Sequence, residues 1–289
     1  MNRTWGGRAF DAANYTLLAV IGLITVLPFL FVISGSLVSS EELLVKKIVF
    51  IPTNISWDAY RFIFATKVIY QSLLNTVLIT VVGTFINLLM TTLMAYPLSK
   101  KTLRGRSKIM LLVVFTMLFN GGIIPTYLVV KSFSMLDTYW SLWIPSAISA
   151  FNLILLRNFF QQLPEGLEES AKIDGCNELR ILFSIVLPLS LPAMATFALF
   201  YAVGHWNSFF SAVIYINDSN MWPIQVWLRQ IVMLSAGGFG DAGALSEVVV
   251  PPESIKYSVI VVAALPVLLL YPLLQKHFAK GVLLGSVKG

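Results

Sequence analysis

The sequence predicts an all-α integral membrane protein of six transmembrane helices, with both termini on the cytoplasmic side. Of the 289 residues, 57% are hydrophobic and only 12% are charged, whereas a soluble domain carries about 25% charged residues. The mean hydropathy is +0.80. Six apolar runs are long enough to cross a bilayer, and the loops that join them carry unequal numbers of Arg and Lys, which predicts the orientation.

The six predicted spans are separated by polar loops, and together they make a single transmembrane domain, 1–289. The spans cover approximately residues 16–37, 72–96, 109–130, 139–156, 189–216 and 257–274. The first run is longer than the apolar core of a secretory signal, so we predict an uncleaved span. A cleaved signal is the alternative, because Ser34 and Ser36 imitate a small-residue cleavage site.

The basic residues determine the predicted orientation. Six spans place the termini, the loop 99–108 and the loop 157–188 on one side, which holds 13 of the 20 Arg and Lys residues, and the other side holds seven. The loop 99–108 alone contributes five of them. The positive-inside rule therefore assigns this side to the cytoplasm. The net charge of +6 follows from this topology and does not indicate nucleic-acid binding.

Several kinds of chemistry are excluded by the residues that the sequence lacks. Its single cysteine, Cys176, excludes an internal disulfide and a multi-cysteine metal site. The two histidines, His205 and His277, lie far apart in the sequence, so no metal site is predicted. No Walker A pattern occurs, which means that any ATP must be bound by another subunit.

The predicted spans contain no Asp, Glu, Lys or Arg. Proton-coupled and sodium-coupled transporters usually keep ionisable groups inside the membrane. Their absence argues against a proton-coupled symporter, although backbone carbonyls and side-chain amides can still bind sodium. It suits a transporter that takes its energy from elsewhere and carries a hydroxyl-rich solute.

The polar loop 163–188 predicts two short helices joined by a turn. Pro164 suits the first helical position, where no backbone donor is needed. Asp174 and Gly175 end the first helix, because glycine readily adopts the left-handed conformation found at helix ends. Asn177 caps the second helix, whose predicted apolar stripe consists of Leu179, Leu182, Phe183 and Val186.

The same loop resembles a known motif. Glu169, Ser170 and Ala171 are followed after three residues by Gly175, and after nine more by Ile185, one residue, Leu187 and Pro188. This spacing resembles the "EAA" loop of permease subunits in bacterial ATP-binding-cassette importers of the maltose-transporter type. Ser170 is the one departure, since the family usually has alanine there. The alternative is an ordinary amphipathic loop between two spans.

The resemblance implies that this loop is the coupling helix, which seats in a cleft of the ATPase subunit. The implied ATPase-coupling residues are Glu168, Glu169, Ser170, Ala171, Asp174, Gly175, Ile185, Leu187 and Pro188. The tail 276–289 also looks like that of the shorter permease of this type, which implies ATPase contacts at Lys280, Gly285, Lys288 and Gly289. A basic tail that touches anionic lipid is the alternative.

The translocation path is predicted from polar residues within the spans. Thr and Asn residues recur at helical spacing along the second span, the third is interrupted at Asn120, Gly121 and Gly122, and Tyr201, His205 and Ser208 follow at i, i+4 and i+7. The predicted path residues are Asn87, Asn120, Gly121, Gly122, Asn152, Tyr201, His205 and Ser208. Helix packing by small polar residues is the alternative for the second span, and a neutral histidine bonded to a neighbouring helix is the alternative for His205.

The resemblance also implies a complete machine in the bacterial inner membrane. Its parts are a second, usually different permease, two ATPases that bind ATP and Mg, and an extracytoplasmic solute-binding protein. The chain itself is then no enzyme and holds no cofactor. The segment FNGGIIPTY, 119–127, further looks like permeases for complex saccharides, such as oligosaccharides or alginate-like polysaccharides.

Three other functions remain open at this point. An importer permease for a non-sugar solute, such as a polyamine or phosphate, uses the same machinery. A stand-alone secondary transporter or channel needs no ATPase, but it leaves the loop 163–188 unexplained. A membrane-embedded enzyme has no catalytic cluster to support it.

Overall fold

Helices and their connections make up the computed structural model, which describes residues 5–39, 42, 46, 49–235 and 253–286. Within these ranges no β-strand forms, and Val38 and Ile55 make an isolated bridge. This confirms the predicted all-α class.

The first two predicted spans lie in two long helices. Helix α1 (Trp5–Ser36) has 32 residues and α3 (Lys67–Ser99) has 33, and a short helix, α2 (Asp58–Ala65), lies between them. Both long helices are apolar enough to cross a membrane. Most apolar side chains of α1 are exposed, as expected of a helix that faces lipid or another subunit.

The predicted interruption of the third span is confirmed. Helix α4 (Arg106–Leu118) and helix α5 (Ile123–Ser132) meet at an angle of 116°. Gly122, at the junction, has a φ of 86°, a left-handed conformation that residues with a Cβ rarely adopt. The Asn120 side chain accepts a hydrogen bond of 2.9 Å from the Gly122 amide, which stabilises the turn.

The fourth predicted span, 139–156, is wrong as a continuous helix. A single turn, α6 (Trp140–Trp143), is separated from α7 (Ala150–Phe160) by six residues that include Pro145. Proline has no amide hydrogen and disrupts the preceding helical turn. Ser149 then caps α7, and its hydroxyl accepts a hydrogen bond of 3.4 Å from the Asn152 amide.

Four helices follow in the region of the loop 163–188 and the fifth predicted span. They are α8 (Glu165–Ile173), α9 (Glu178–Leu189), α10 (Leu191–Trp206) and α11 (Phe210–Tyr215). A sharp bend follows Pro188, since α9 and α10 meet at 86°. The fifth span, 189–216, is not one helix, since α10 ends at Asn207, whose side-chain amide donates to the Val203 carbonyl at 3.0 Å.

The last two described helices are α12 (Ile224–Ser235) and α13 (Glu253–Ser286). Helix α12 directly follows Trp222 and Pro223, and α13 contains the sixth predicted span, 257–274. Among the described residues, length and composition give two spans, or up to four if each bent pair crosses once. The count of six and the orientation therefore remain predictions.

Contacts divide the chain into two compact units, 1–70 with 228–265 and 71–227 with 266–289. In the first unit, the backbone of α1 lies close to α13. A Cβ added to Gly35 would meet the Tyr257 ring at 2.6 Å, and the Ser258 hydroxyl donates to the Ser36 carbonyl at 3.0 Å.

Helix α3 is the central element of the second unit. The Asn75 side chain donates to the Asn220 carbonyl at 2.7 Å, and the Trp143 indole donates to the Ile79 carbonyl at 3.1 Å. At the other end of α3, Arg157 and Gln161 donate to the carbonyls of Leu98 and Ser99, each at 3.2 Å, which satisfies acceptors that a helix end leaves free.

Candidate functional site

The predicted stop between the two short helices of the loop 163–188 is confirmed. Helix α8 ends at Asp174, and Gly175 has a φ of 81°. The Gly175 amide donates to the Lys172 carbonyl at 3.0 Å, and the Cys176 amide donates to the Ala171 carbonyl at 2.9 Å. These two hydrogen bonds define a Schellman motif, which ends a helix through a left-handed residue.

The start of each short helix also follows local sequence rules. Pro164 was predicted to be the first helical residue, but α8 begins one position later, at Glu165, and Pro164 lies immediately before it. The Asn177 side chain caps α9 as predicted and accepts a hydrogen bond of 2.8 Å from the Arg180 amide. The two helices are therefore separated by a fixed turn, which orients α8 relative to α9.

The predicted apolar stripe of α9 is only half correct. Leu182 and Val186 are fully buried, but Leu179 is 60% exposed and Phe183 is 49% exposed. Phe183 lies within a π-helical turn, Leu182–Val186, whose wider winding changes which side chains share a face. Ile181 takes the buried position that Phe183 was predicted to fill.

An apolar core fastens this loop to the spans. Ala171 of α8 is 6% exposed and belongs to the same cluster as Ile181, Leu182 and Val186 of α9. The partners of these four residues come from α3, α4, α7 and α10, and they are Ala95, Tyr96, Leu98, Val113, Leu153, Leu156, Phe160, Ala193 and Phe197. Ile185 and Leu187 pack against the edge of this cluster. The loop is thereby packed directly against helices from four of the predicted spans.

Charged side chains make a second connection between the loop and α3. Lys100, directly after α3, forms an ion pair with Glu168 of α8. Tyr96 of α3 donates to Glu178 of α9 at 3.0 Å, and Lys172 lies 2.7 Å from the same carboxylate. Burial lowers the pKa of the Lys100 ammonium to about 8, while the Glu178 carboxylate acts in the opposite direction.

One face of α8 is left uncovered. Gly166, Glu169, Ser170 and Ile173, at i, i+3, i+4 and i+7, are all exposed, and we refer to these four residues as the docking face. Ile173 is 86% exposed. The Ser170 hydroxyl donates to the Gly166 carbonyl within α8, so it needs no external partner.

The docking face was identified only in part from the sequence. Glu169 and Ser170 belong to the predicted coupling residues, whereas Gly166 and Ile173 were missed. The sequence feature that could have identified Ile173 is an apolar residue on the polar side of a short helix outside the predicted spans.

Two of the predicted path residues, Asn87 and His205, contact each other. The Nε2 atom of His205 is hydrogen-bonded to Oδ1 of Asn87, and the Asn87 amide nitrogen donates to the Ser146 carbonyl. Gly83 allows this contact, because a Cβ at that position would lie 2.5 Å from His205 Nε2. Both polar side chains are buried between helices, as the packing alternative expects.

Tyr201 and Asn152 also lie inside the helix bundle of this unit. The Tyr201 hydroxyl lies 2.7 Å from the Thr91 hydroxyl and accepts a hydrogen bond of 3.3 Å from the Ser149 amide. Asn152 is buried one helical turn further along α7. The role of these residues in the path remains a prediction, and the Tyr201 hydroxyl connects α10 to α3 and to the start of α7.

The remaining path residues are placed differently from His205 and Tyr201. Asn120, Gly121 and Gly122 are exposed at the bend between α4 and α5. Ser208 lies beyond the end of α10, and its amide donates to the His205 carbonyl at 3.0 Å. The prediction that Ser208 continues the helical face of Tyr201 and His205 is therefore wrong, because Asn207 ends the helix first.

The predicted ATPase-contacting tail is described only in part. Helix α13 extends to Ser286, so the backbone at Lys280 and Gly285 is helical. Lys288 and Gly289 lie outside the described residues. Within the part of the chain that the structure describes, no group of three or more His, Cys, Asp or Glu side chains is arranged to hold a metal ion.

A family model described as "Binding-protein-dependent transport system inner membrane component" matches residues 81–284. The chain belongs to this family. It is therefore a permease component of a binding-protein-dependent transport system, and the matched residues include the whole loop 163–188. This decides against the stand-alone transporter, the channel and the membrane enzyme.

Two curated relatives of the permease come from Bacillus subtilis (strain 168). The polygalacturonan/rhamnogalacturonan transport system permease protein YtcP is 59% identical over 98% of this chain and 99% of its own length. Protein LplC is 53% identical over 100% of this chain and 98% of its own length. A crystal structure of a bacterial ABC transporter involved in the import of the acidic polysaccharide alginate has a 34% identical chain, with a TM-score of 0.87 over 96% of the permease and 99% of that chain.

Proposed function

We propose that the chain is one of two membrane-embedded subunits of an ATP-driven importer for oligosaccharides released from acidic polysaccharides. A solute-binding protein delivers the saccharide to the outer face of the two permeases. Two ATPase subunits, which bind ATP and Mg, dock on the cytoplasmic face and drive the change between outward-facing and inward-facing states.

The observation that carries the carbohydrate assignment is the 59% identity to the polygalacturonan/rhamnogalacturonan permease over almost the entire chain. The likeness to the alginate importer chain, at 34% identity, supports the same class of solute. Galacturonan and alginate are both built from sugars that carry a carboxylate. We therefore expect a solute that combines many hydroxyl groups with negative charge.

The loop 163–188 supports the proposed docking of an ATPase. Its apolar core fastens the loop to four spans, while its docking face stays exposed. A helix that is fixed on one side and uncovered on the other is suited to receive a force from a partner and to pass it on. Ile173 provides the apolar contact, and Glu169 provides a charge that polar groups of the ATPase can pair with.

The path assignment follows from the exposed bend between α4 and α5. Irregular backbone at membrane depth is tolerated where it lines a water-filled cavity or lies inside protein, and Asn120, Gly121 and Gly122 expose polar backbone at this bend. In the complete transporter we expect this bend to border the path between the two permeases.

The test is ATP-dependent uptake by the complete transporter, with both permeases, the ATPases and the binding protein, reconstituted in lipid vesicles. Labelled oligogalacturonides, alginate oligosaccharides, maltodextrins, a polyamine and phosphate are compared. We expect uptake of an acidic oligosaccharide to exceed uptake of maltodextrin. Uptake of the polyamine or phosphate alone would refute the carbohydrate assignment, and uptake that needs no ATP would refute the proposed mechanism.

A further inference from the structure

Five side chains form a continuous chain of polar contacts at the end of α3 that is predicted to be cytoplasmic. Tyr96 belongs to α3, and Lys100 directly follows that helix. Glu168 and Lys172 belong to α8, and Glu178 belongs to α9. We refer to these five residues as the charge circuit. Glu168 pairs with Lys100, Lys172 pairs with Glu178, and Tyr96 donates to Glu178. The Lys100 ammonium lies 4.0 Å from the centre of the Tyr96 ring, and this cation–π contact joins the two ion pairs.

The two ion pairs of the circuit differ in burial. The side chains of Lys100 and Glu168 are each only 19% exposed, whereas those of Lys172 and Glu178 are 48% and 57% exposed. An exposed pair contributes little, because water screens both charges. Removal of one partner from a mostly buried pair leaves an uncompensated charge with poor hydration. The pair of Lys100 and Glu168 therefore contributes more than the exposed pair to the attachment of α8 to α3.

This contact joins α8 to the helix that organises the second unit. Along its length α3 is hydrogen-bonded to residues of α6, α10 and the segment before α12, through Ile79, Thr91 and Asn75. Between residues 71 and 100, α3 therefore carries contacts to both the loop 163–188 and the rest of the bundle. A displacement of α8 that is transmitted to Lys100 reaches all of these contacts through one rigid helix.

We infer that Lys100 and Glu168 are positioning residues that transmit the movement of α8 to α3. The inference rests on the proposed docking of α8 on an ATPase, and it goes beyond the coupling motif, which does not include Lys100. The apolar core around Ala171 keeps the loop attached when the ion pair is broken. Loss of the pair therefore loosens the orientation of α8 without releasing it, and ATP hydrolysis becomes less tightly linked to transport.

The experiment measures two quantities with the complete transporter, namely retention of the ATPase on purification and solute taken up per ATP hydrolysed in vesicles. The variants are Lys100→Met, Glu168→Gln, the double variant, and the exchanged pair Lys100→Glu with Glu168→Lys. Lys108→Met is the matched control, because this exposed lysine of α4 forms no ion pair with the described residues.

We expect both single variants to retain the ATPase, since the docking face is unchanged, and to lower the uptake per ATP about fivefold, the effect of a modest change in free energy. The double variant should lose less than the sum of the two single losses, and the exchanged pair should recover most of the ratio. The control should match the original chain.

Three results would overturn the inference. They are an unchanged ratio in both single variants, an exchanged pair that is no better than the single variants, and a loss of ATPase retention in Lys100→Met equal to the loss of ratio. A failure of the proposed function is distinguished from these, because the unsubstituted chain would then neither retain an ATPase nor couple ATP to uptake.

Discussion

Replacement of Gly175 tests how the coupling loop meets its partner. Gly175 has a φ of 81°, and nothing lies within 4 Å of a Cβ built at this position. A substitution therefore changes only the backbone energy within this chain. For alanine the left-handed conformation costs about 1–2 kcal/mol, a factor of roughly 5–30 in the equilibrium between the closed and the frayed helix end.

Three variants separate the backbone effect from the contact with the ATPase. Asn and Asp adopt the left-handed conformation more readily than alanine does, so Gly175→Asn and Gly175→Asp should leave the helix end closed. The comparison of Asp with Asn then isolates the added charge. We expect Asp alone to weaken docking strongly, because a carboxylate at a tightly seated surface loses its hydration.

The assay pairs ATPase retention on purification with solute-stimulated hydrolysis in vesicles. Gly175→Asn should retain most of both signals, Gly175→Ala should lose a part, and Gly175→Asp should lose most of the retention or of the stimulated hydrolysis. Equal and normal values for Gly175→Asp and the unsubstituted chain would refute the assignment of this turn to the interface with the ATPase.

Four further predictions follow from the structure. Ile173→Ser should reduce ATPase retention on purification, whereas removal of Cys176 by Cys176→Ser should not. Gly83→Ala should lower the free energy of unfolding in detergent by about 1–3 kcal/mol, because the added Cβ meets His205. Gly204→Ala should leave this free energy unchanged, because the space around Gly204 is open. As the pH rises through about 8, Lys100 loses its proton, so uptake per ATP should fall in the original chain but not in Lys100→Met. A cysteine at position 107 should react with an impermeant reagent from the cytoplasmic face only, and labelling from outside would contradict the orientation.

Local rules account for the parts of the loop that could be predicted from the sequence. The stop at Gly175, the cap at Asn177 and the break around Gly122 each depend on residues within one helical turn. The conformational freedom of glycine and the hydrogen-bonding side chain of asparagine act over that distance. These features could therefore be predicted from the sequence alone.

Features that depend on an irregular helix or on contacts between residues far apart in the sequence could not be predicted by these local rules. The π-helical turn moved Phe183 to the exposed side of α9, and periodicity assumes a regular helix. The pair between Lys100 and Glu168 joins residues 68 positions apart, so no spacing pattern marks it. Burial of His205 and Asn87 against each other likewise depends on the packing of α10 on α3.

A cross-linking measurement on the docking face tests the central claim most directly. A photoreactive amino acid is placed at Ile173 in the complete transporter, and the control position is Leu118, which is exposed near the end of α4. Irradiation should join the chain to the ATPase from position 173 and not from position 118. No adduct with the ATPase from position 173, or equal adducts from both positions, would contradict the account.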